Sequence, residues 1–242
     1  EALQNAANAF VDSVAAMNDN ISDTAQQHRI SLVKFASDEN NSIGNDTNRD
    51  GYNYSQVVSD LTAYTSQTAS TLKNTINSLE GEGATRADYG MHQAQRVLDG
   101  EGDLTGARTN AQKIVIFFTD GNPTTSSSWS DSVAGTAINY AYDMKQDGAL
   151  VYSIGVFQGA NPSDTNNDFN RYMNAVSSNY PDAECADNVN VGSFWNPQYE
   201  WRQTDDYGDL VLGDRVEGAE GEETPQYYFA ASNADELNQV FE

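Results

Sequence analysis

Two short stretches carry side chains that could do chemistry together. Phe118-Thr119-Asp120-Gly121-Asn122-Pro123 places a carboxylate at the end of a nearly continuous apolar run. Gly83-Ala84-Thr85-Arg86-Ala87-Asp88 places a hydroxyl where a helical pattern begins. Both are hard oxygen donors, and converging above a sheet they suit Mg2+, Mn2+ or Ca2+. Singly, each has a plainer use: Asp-Gly is ordinary turn chemistry, and a threonine can cap the helix that follows it. A third stretch, Asp46-Thr47-Asn48-Arg49-Asp50-Gly51, matches the first half of a calcium loop, but Val57 stands at the twelfth position where an acidic residue is needed. It reads first as a polar surface loop, and otherwise as a partial Ca2+ site of Asp46, Asn48 and Asp50.

Other chemistries lack their residues. No Gly-x-Ser-x-Gly elbow occurs, and Gly81-Glu82-Gly83 lacks the third small residue of a phosphate loop. The single cysteine, Cys185, has no histidine near it in sequence, which disfavours a nucleophile and excludes an internal disulfide or a Cys-based zinc site. His28 and His92 read as surface or packed histidines. With 36 acidic and 12 basic residues the net charge is −24, so phosphate backbones and anionic lipid are repelled. Nucleic acid is thereby excluded as a partner. No apolar run approaches the ~20 residues that cross a bilayer, which excludes membrane insertion by a helix.

These motifs need a scaffold. At 242 residues and 38% hydrophobic, the chain can pack one core, and residues 1–242 read as a single domain. Leu3, Ala7, Phe10, Val14 and Met17 form one helical stripe. Residues 29–37 read as a strand, 38–56 as a long polar loop, and Ser66 to Leu79 as a helix. A second helix carries Ala87, Met91, Ala94 and Leu98. Lys113 to Thr119 is apolar on both faces, as in a parallel sheet. A helix through Val133, Ala137, Tyr140 and Met144 ends at Gly148. Ala149 to Phe157 is a further strand, and a helix around Phe169, Met173 and Val176 follows, with Asp164 to Asp168 at its N-terminus. Residues 181–225 break the rhythm as an irregular or short-strand insertion, in which Trp195 and Trp201 are expected to bury their rings as anchors; the alternative is exposed aromatics for a protein or sugar partner. Residues 226–231 form a short strand, and a helix from Asn233 to Phe241 closes the chain. Alternating strands and helices predict an α/β fold: a doubly wound, mostly parallel central sheet with helices on both faces. Ligands then bind at the carboxyl ends of the strands, near Ser37, Thr85 and Asp120.

In element order and in these motifs the chain resembles a von Willebrand factor type A domain, the Rossmann-like fold shared with integrin I domains. Phe117-Phe118-Thr119-Asp120-Gly121 is similar to that family's fourth-strand signature, and Gly83-Ala84-Thr85 to its metal-binding threonine loop. Asn179-Tyr180-Pro181-Asp182-Ala183 with Tyr228-Phe229-Ala230-Ala231 resembles the A domains of Gram-positive surface proteins and pilus-tip adhesins. The resemblance implies a metal-ion-dependent adhesion site holding Mg2+ or Mn2+, with Thr85 and Asp120 as ligands. It implies a rim of Glu82, Arg86, Asn122, Thr124 and Trp129 facing an acidic side chain of a protein ligand. The family's first strand and its Asp-x-Ser-x-Ser loop are missing; they are expected upstream of Glu1, in a longer parent, or from a separate peptide. The expected function is extracellular adhesion at a cell wall or pilus, without catalysis. Two alternatives stand beside it: a Mg-dependent Rossmann-like hydrolase or phosphotransferase, and a structural stalk domain with a degenerate metal site.

Overall fold

The structure, a computed structural model, describes residues 2–219, 221–231 and 236–237. The helix expected from Asn233 to Phe241 lies outside the described residues except at 236–237. In chain order the elements are α1 (Ala2–Asp19), β1 (Arg29–Lys34), β2 (Glu39–Asn40), β3 (Ser55–Ala63), α2 (Ala69–Asn77), α3 (Ala87–Asp99), β4 (Ile114–Thr119), α4 (Asp131–Gln146), β5 (Leu150–Gly155), α5 (Asp168–Val176), β6 (Glu184–Asn190), β7 (Tyr199–Gln203), a 3-10 turn (Tyr207–Asp209), β8 (Leu210–Val211) and β9 (Tyr228–Ala230).

The expected α/β architecture is present. β4, β5 and β9 form a parallel sheet in the order β4–β5–β9, with Phe117 opposite Ser153 and Ser153 opposite Tyr228. α4 packs on it through small residues, Ala134, Ala137 and Ala141, which bring its backbone close to Val115, Phe117, Val151 and Tyr172. Ser130 caps α4 and Asn167 caps α5 through side-chain oxygens, so both helices begin where short polar side chains stand ready.

A second sheet has the order β1–β3–β2, and β1 runs antiparallel to β3. The sequence reading left 57–65 unassigned and extended the loop to 56, so β3 is a correction. Its inner positions hold polar Ser55 and Gln56, both fully buried, and this hides the alternation that marks a strand.

The two sheets lie between shared helices. On one side Val11 and Ala15 of α1 pack with Ile30, Leu32 and Tyr64, while Ala6 packs with Phe118 and Ile154. On the other, Ala87 and Met91 of α3 join the β4 core, and Val97 joins Val33 and Val57. Gly90 makes this possible, because a Cβ there would lie 2.8 Å from Phe35. β1 and β4 run the same way. At one end Arg29 Nη1 donates to Gly106 O at 2.8 Å and Arg108 bonds Ala25 O. At the other, both strands deliver their chains to the loops around Thr85. Yet among the described residues β1 pairs only with β3, and β4 only with β5. Ile114 of β4 is 53% exposed. β1 and β4 therefore each present one edge without a strand partner among the described residues.

The insertion is a three-stranded antiparallel sheet, β7–β6–β8. Asn139 of α4 holds its base: its Oδ1 accepts from Cys185 N at 2.8 Å, and its Nδ2 donates to Thr204 O at 2.8 Å and to Cys185 O at 3.2 Å. Tyr207 and Leu210 complete the anchor in the core. Trp195 and Trp201 do not: they are 90% and 56% exposed, against the expectation that they bury. The base is already fixed by backbone-like hydrogen bonds, so the rings are not needed there.

Four buried acids give the fold an alkaline limit. Burial, then Asp209 and Asp206, pushes the Cys185 thiol up to about 12. Burial likewise raises the phenols of Tyr172, Tyr207 and Tyr228. Each keeps its proton to a higher pH when folded than when unfolded, so its stabilisation is intact below the unfolded value and lost as pH rises through the folded one. Lys145, pulled down to about 7 by burial, works in the opposite sense, favouring the fold more as pH rises towards ~10.4. One group does not offset four. The melting temperature should fall steeply above pH ~10, with part of the tyrosinate absorbance appearing only on unfolding. A flat melting temperature through that range would contradict the burial of these groups.

Candidate functional site

The loops at the carboxyl ends of β1 and β4 meet. Arg86 N donates to Ala36 O at 3.2 Å, fastening the start of α3 to the end of β1. Thr124 N donates to Thr85 O at 3.0 Å, and Thr85 N donates to Thr124 Oγ1 at 3.2 Å, fastening it to the loop after β4. The Thr119 hydroxyl donates to Gly121 O at 2.9 Å and accepts from Gly121 N at 3.2 Å, closing a tight turn that leaves Asp120 exposed at its apex. A side chain on Gly121 would begin 3.3 Å from Thr85 Oγ1. The Thr85 hydroxyl thus stands against the turn whose apex is Asp120.

Ser37 belongs to the same rim; the sequence reading placed ligand binding near it, because it follows the end of a strand in an α/β sheet, but did not name it as a donor. Gly83 has φ +119, and a Cβ there would lie 2.6 Å from Ser37 Oγ, so only glycine lets this hydroxyl sit over the threonine loop.

The expected rim residues divide. Glu82 and Asn122 are exposed. Arg86 is held inward: its Nε and Nη2 donate to the Asp88 carboxylate at 2.9 and 2.6 Å, and its guanidinium lies 3.6 Å over the Tyr89 ring. Thr124 is buried, with its hydroxyl engaged by Thr85. Trp129 packs edge-on against Phe169, Tyr172 and Tyr207, and its indole N–H reaches Asp131 at 2.8 Å. Arg86, Thr124 and Trp129 therefore shape the rim from behind.

The donor set at the rim is two hydroxyls, Ser37 and Thr85, and one carboxylate, Asp120. Neither Thr85 Oγ1 nor the Asp120 carboxylate is engaged by a hydrogen bond among the described residues. Such oxygens fit part of the shell of a hard cation. Among the described residues no three His, Cys, Asp or Glu side chains gather to hold a metal.

The loop carrying Asp46, Asn48 and Asp50 is organised differently. Lys34 Nζ donates to Asn45 Oδ1 and Asp46 O at 2.7 Å each, and to Asn53 Oδ1 at 3.2 Å. Asp46 Oδ2 accepts from Gln56 at 2.8 Å, and Asn48 Oδ1 accepts from Asp50 N and Tyr52 N at 3.0 Å each. The loop's oxygens already surround a cation, the lysine ammonium. His92, read as a surface or packed histidine, stacks on Tyr140 at 4.9 Å with Nδ1 2.6 Å from Glu39 Oε1.

The family model of the von Willebrand factor type A domain matches residues 2–191. No curated protein matches the chain. Among solved structures, two of the pilus adhesin SpaC from Lactobacillus rhamnosus GG are similar, with TM-scores of 0.55 and 0.54 at 13% and 14% identity. They cover 98% and 99% of this chain, which spans about a quarter of SpaC (27% and 26%). Manganese-loaded Plasmodium vivax TRAP protein aligns with a TM-score of 0.45 at 16% identity, over 72% of this chain and 63% of that one. At these identities the likeness is one of fold.

Proposed function

The chain belongs to the von Willebrand factor type A family, and from that premise we propose that it is an extracellular binding module that grips an acidic side chain of a protein ligand through a divalent cation at the Ser37–Thr85–Asp120 rim. The observation that supports this most is the contact of the Thr85 hydroxyl with the turn that carries Asp120, with neither Thr85 Oγ1 nor the Asp120 carboxylate engaged by a hydrogen bond among the described residues. When bound, Mg2+ or Mn2+ supplies a Lewis-acidic contact for a foreign carboxylate. Thr85 and Ser37 offer neutral oxygens and Asp120 a single negative charge. Glu82 and Asn122 flank the rim and meet the partner, while Arg86, Thr124 and Trp129 hold it rigid. The pilus adhesin likeness and the absence of a histidine or cysteine nucleophile on the rim favour adhesion at a cell surface over catalysis. No described helix is long and apolar enough to cross a membrane.

In this reading residues 1–242 are one domain in which a further strand pairs between the free edges of β1 and β4. Unpaired backbone inside a sheet is costly. A strand there would end on the same rim and bring its loop to Thr85 and Asp120.

Calorimetry of the chain with Mg2+, Mn2+ and Ca2+ tests the reading. Binding is expected, and Thr85→Ala or Asp120→Ala should each weaken it roughly tenfold or more. Equal affinity in both variants would overturn the site. No binding by the folded chain would instead favour the stalk domain with a degenerate site.

A further inference from the structure

The β6–β7 hairpin displays aromatic rings where a soluble domain would be expected to hide them. Phe194 is 86% exposed and Trp195 90%, and their rings meet edge to face at 5.1 Å. Tyr199 and Trp201 follow on β7 at 62% and 56%. The register places Tyr199 opposite Asn190 and Trp201 opposite Asn188, so two rings and two amides share one face. Large exposed apolar clusters of this kind mark interaction sites, and Trp and Tyr lead the composition of interface centres.

The display is built rather than loose. Asn190 Oδ1 accepts from Gly192 N at 2.9 Å and from Gln198 N at 3.1 Å. Val191 N donates to Gln198 O at 2.7 Å, and Asn196 N donates to Ser193 O at 3.1 Å. A Cβ on Gly192 would lie 2.3 Å from Asn196 O, so the turn closes only around glycine. Rings held in this way lose little freedom on binding.

The charge on the ring face is negative. Glu184 shares that face with Trp201, while Asp187 and Glu200 lie on the opposite face, where Arg202 is paired with Glu200 at 2.8 Å. Trp201 Nε1 donates to Glu184 at 3.1 Å, joining ring and carboxylate in one surface. Asp143, at the base, accepts from Gln203 at 3.2 Å, and Asp205 and Asp206 follow β7. Aromatic faces among carboxylates complement cations: guanidinium and ammonium groups stack on the rings and pair with the acids. A second copy of a chain with charge −24 is repelled, and a neutral glycan would leave the acids without partners.

We propose that the β6–β7 hairpin is a second binding surface, using none of the rim residues, which takes a basic polypeptide segment whose Arg and Lys side chains lie on Phe194, Trp195, Tyr199 and Trp201 and pair with Glu184 and Asp143.

The test uses the full chain and a synthetic Arg-Gly repeat peptide, with its citrulline counterpart as the uncharged control. Tryptophan fluorescence and calorimetry report binding. The Arg peptide should bind and perturb the tryptophan emission. The citrulline peptide should not. Trp195→Ser with Trp201→Ser should lower affinity roughly tenfold or more, with circular dichroism and melting unchanged because the rings pack on nothing in the core. Thr85→Ala should leave peptide binding intact, which separates this surface from the rim. Undiminished affinity in the tryptophan variant would mean only diffuse attraction to an acidic chain, and the proposal fails. It fails equally if the citrulline peptide binds as well, if a neutral oligosaccharide binds through the same tryptophans while the Arg peptide does not, or if the chain instead self-associates through them.

Discussion

Lys145→Met is expected to destabilise the fold by about 3–5 kcal/mol, lowering the melting temperature by roughly 10 °C for a chain of this size. The lysine runs from α4 into the interior, where Nζ donates to Ala175 O and Tyr180 O at 2.8 Å and to Ser177 O at 3.4 Å. The amine has two hydrogens to give, and three when protonated, and three carbonyls stand in reach of them. Ala175 lies in the last turn of α5, where carbonyls have no partner within the helix and carry the negative end of its dipole. Methionine fills similar volume but donates nothing, so up to three acceptors lose their partner out of reach of water. A thermal melt by circular dichroism reads the effect. A shift of only about 2 °C would mean that water reaches those carbonyls.

Asn139→Ala should act more locally. The amide bonds the insertion as a peptide group would, with both its donors and its acceptor engaged by Cys185 and Thr204. Its loss leaves the buried Cys185 N–H without an acceptor, at a cost of roughly 2–4 kcal/mol. The neighbouring contact cannot adjust, because a Cβ on Gly135 would already lie 2.5 Å from Asp205 O. The expected result is a lower melting point together with rapid proteolytic cleavage in residues 187–205, while the β4–β5–β9 core keeps its hydrogen-exchange protection. Uniform loss of protection across the chain would show instead that the insertion is integral to the core. The cysteine gives a second readout: its thiol, buried and unreactive in the parent chain, should become labelled in the variant.

What could be read from the sequence followed how each element is solvated. β4 was legible because Ile114 to Thr119 is apolar in nearly every position. α3 and α5 were legible because each buries one stripe. β3 was not, since Ser55 and Gln56 are buried for their hydrogen bonds: Ser55 Oγ accepts from Ala36 N at 3.1 Å, and Gln56 ties down the loop through Asp46. A buried polar residue with a precise partner looks, in sequence, like a loop residue. Thr85 and Asp120 could be named from their motifs, and the Thr85 hydroxyl lies against Gly121, the residue after Asp120. Arg86, Thr124 and Trp129 could be named too, but not their direction: Asp88 draws the arginine inward, and an aromatic cluster takes the tryptophan. The tryptophans of the insertion inverted the usual inference, since a large apolar ring argues for burial unless something else holds its strand.

The tether of Lys34 to the 38–54 loop has a consequence for where such a molecule can operate. A dissolved ion that shapes a loop comes and goes with its supply, and a sequestering agent can strip it away. A covalently attached ammonium is present at one equivalent at any dilution. That corner of the surface therefore has a cation holding its backbone even in ion-poor surroundings.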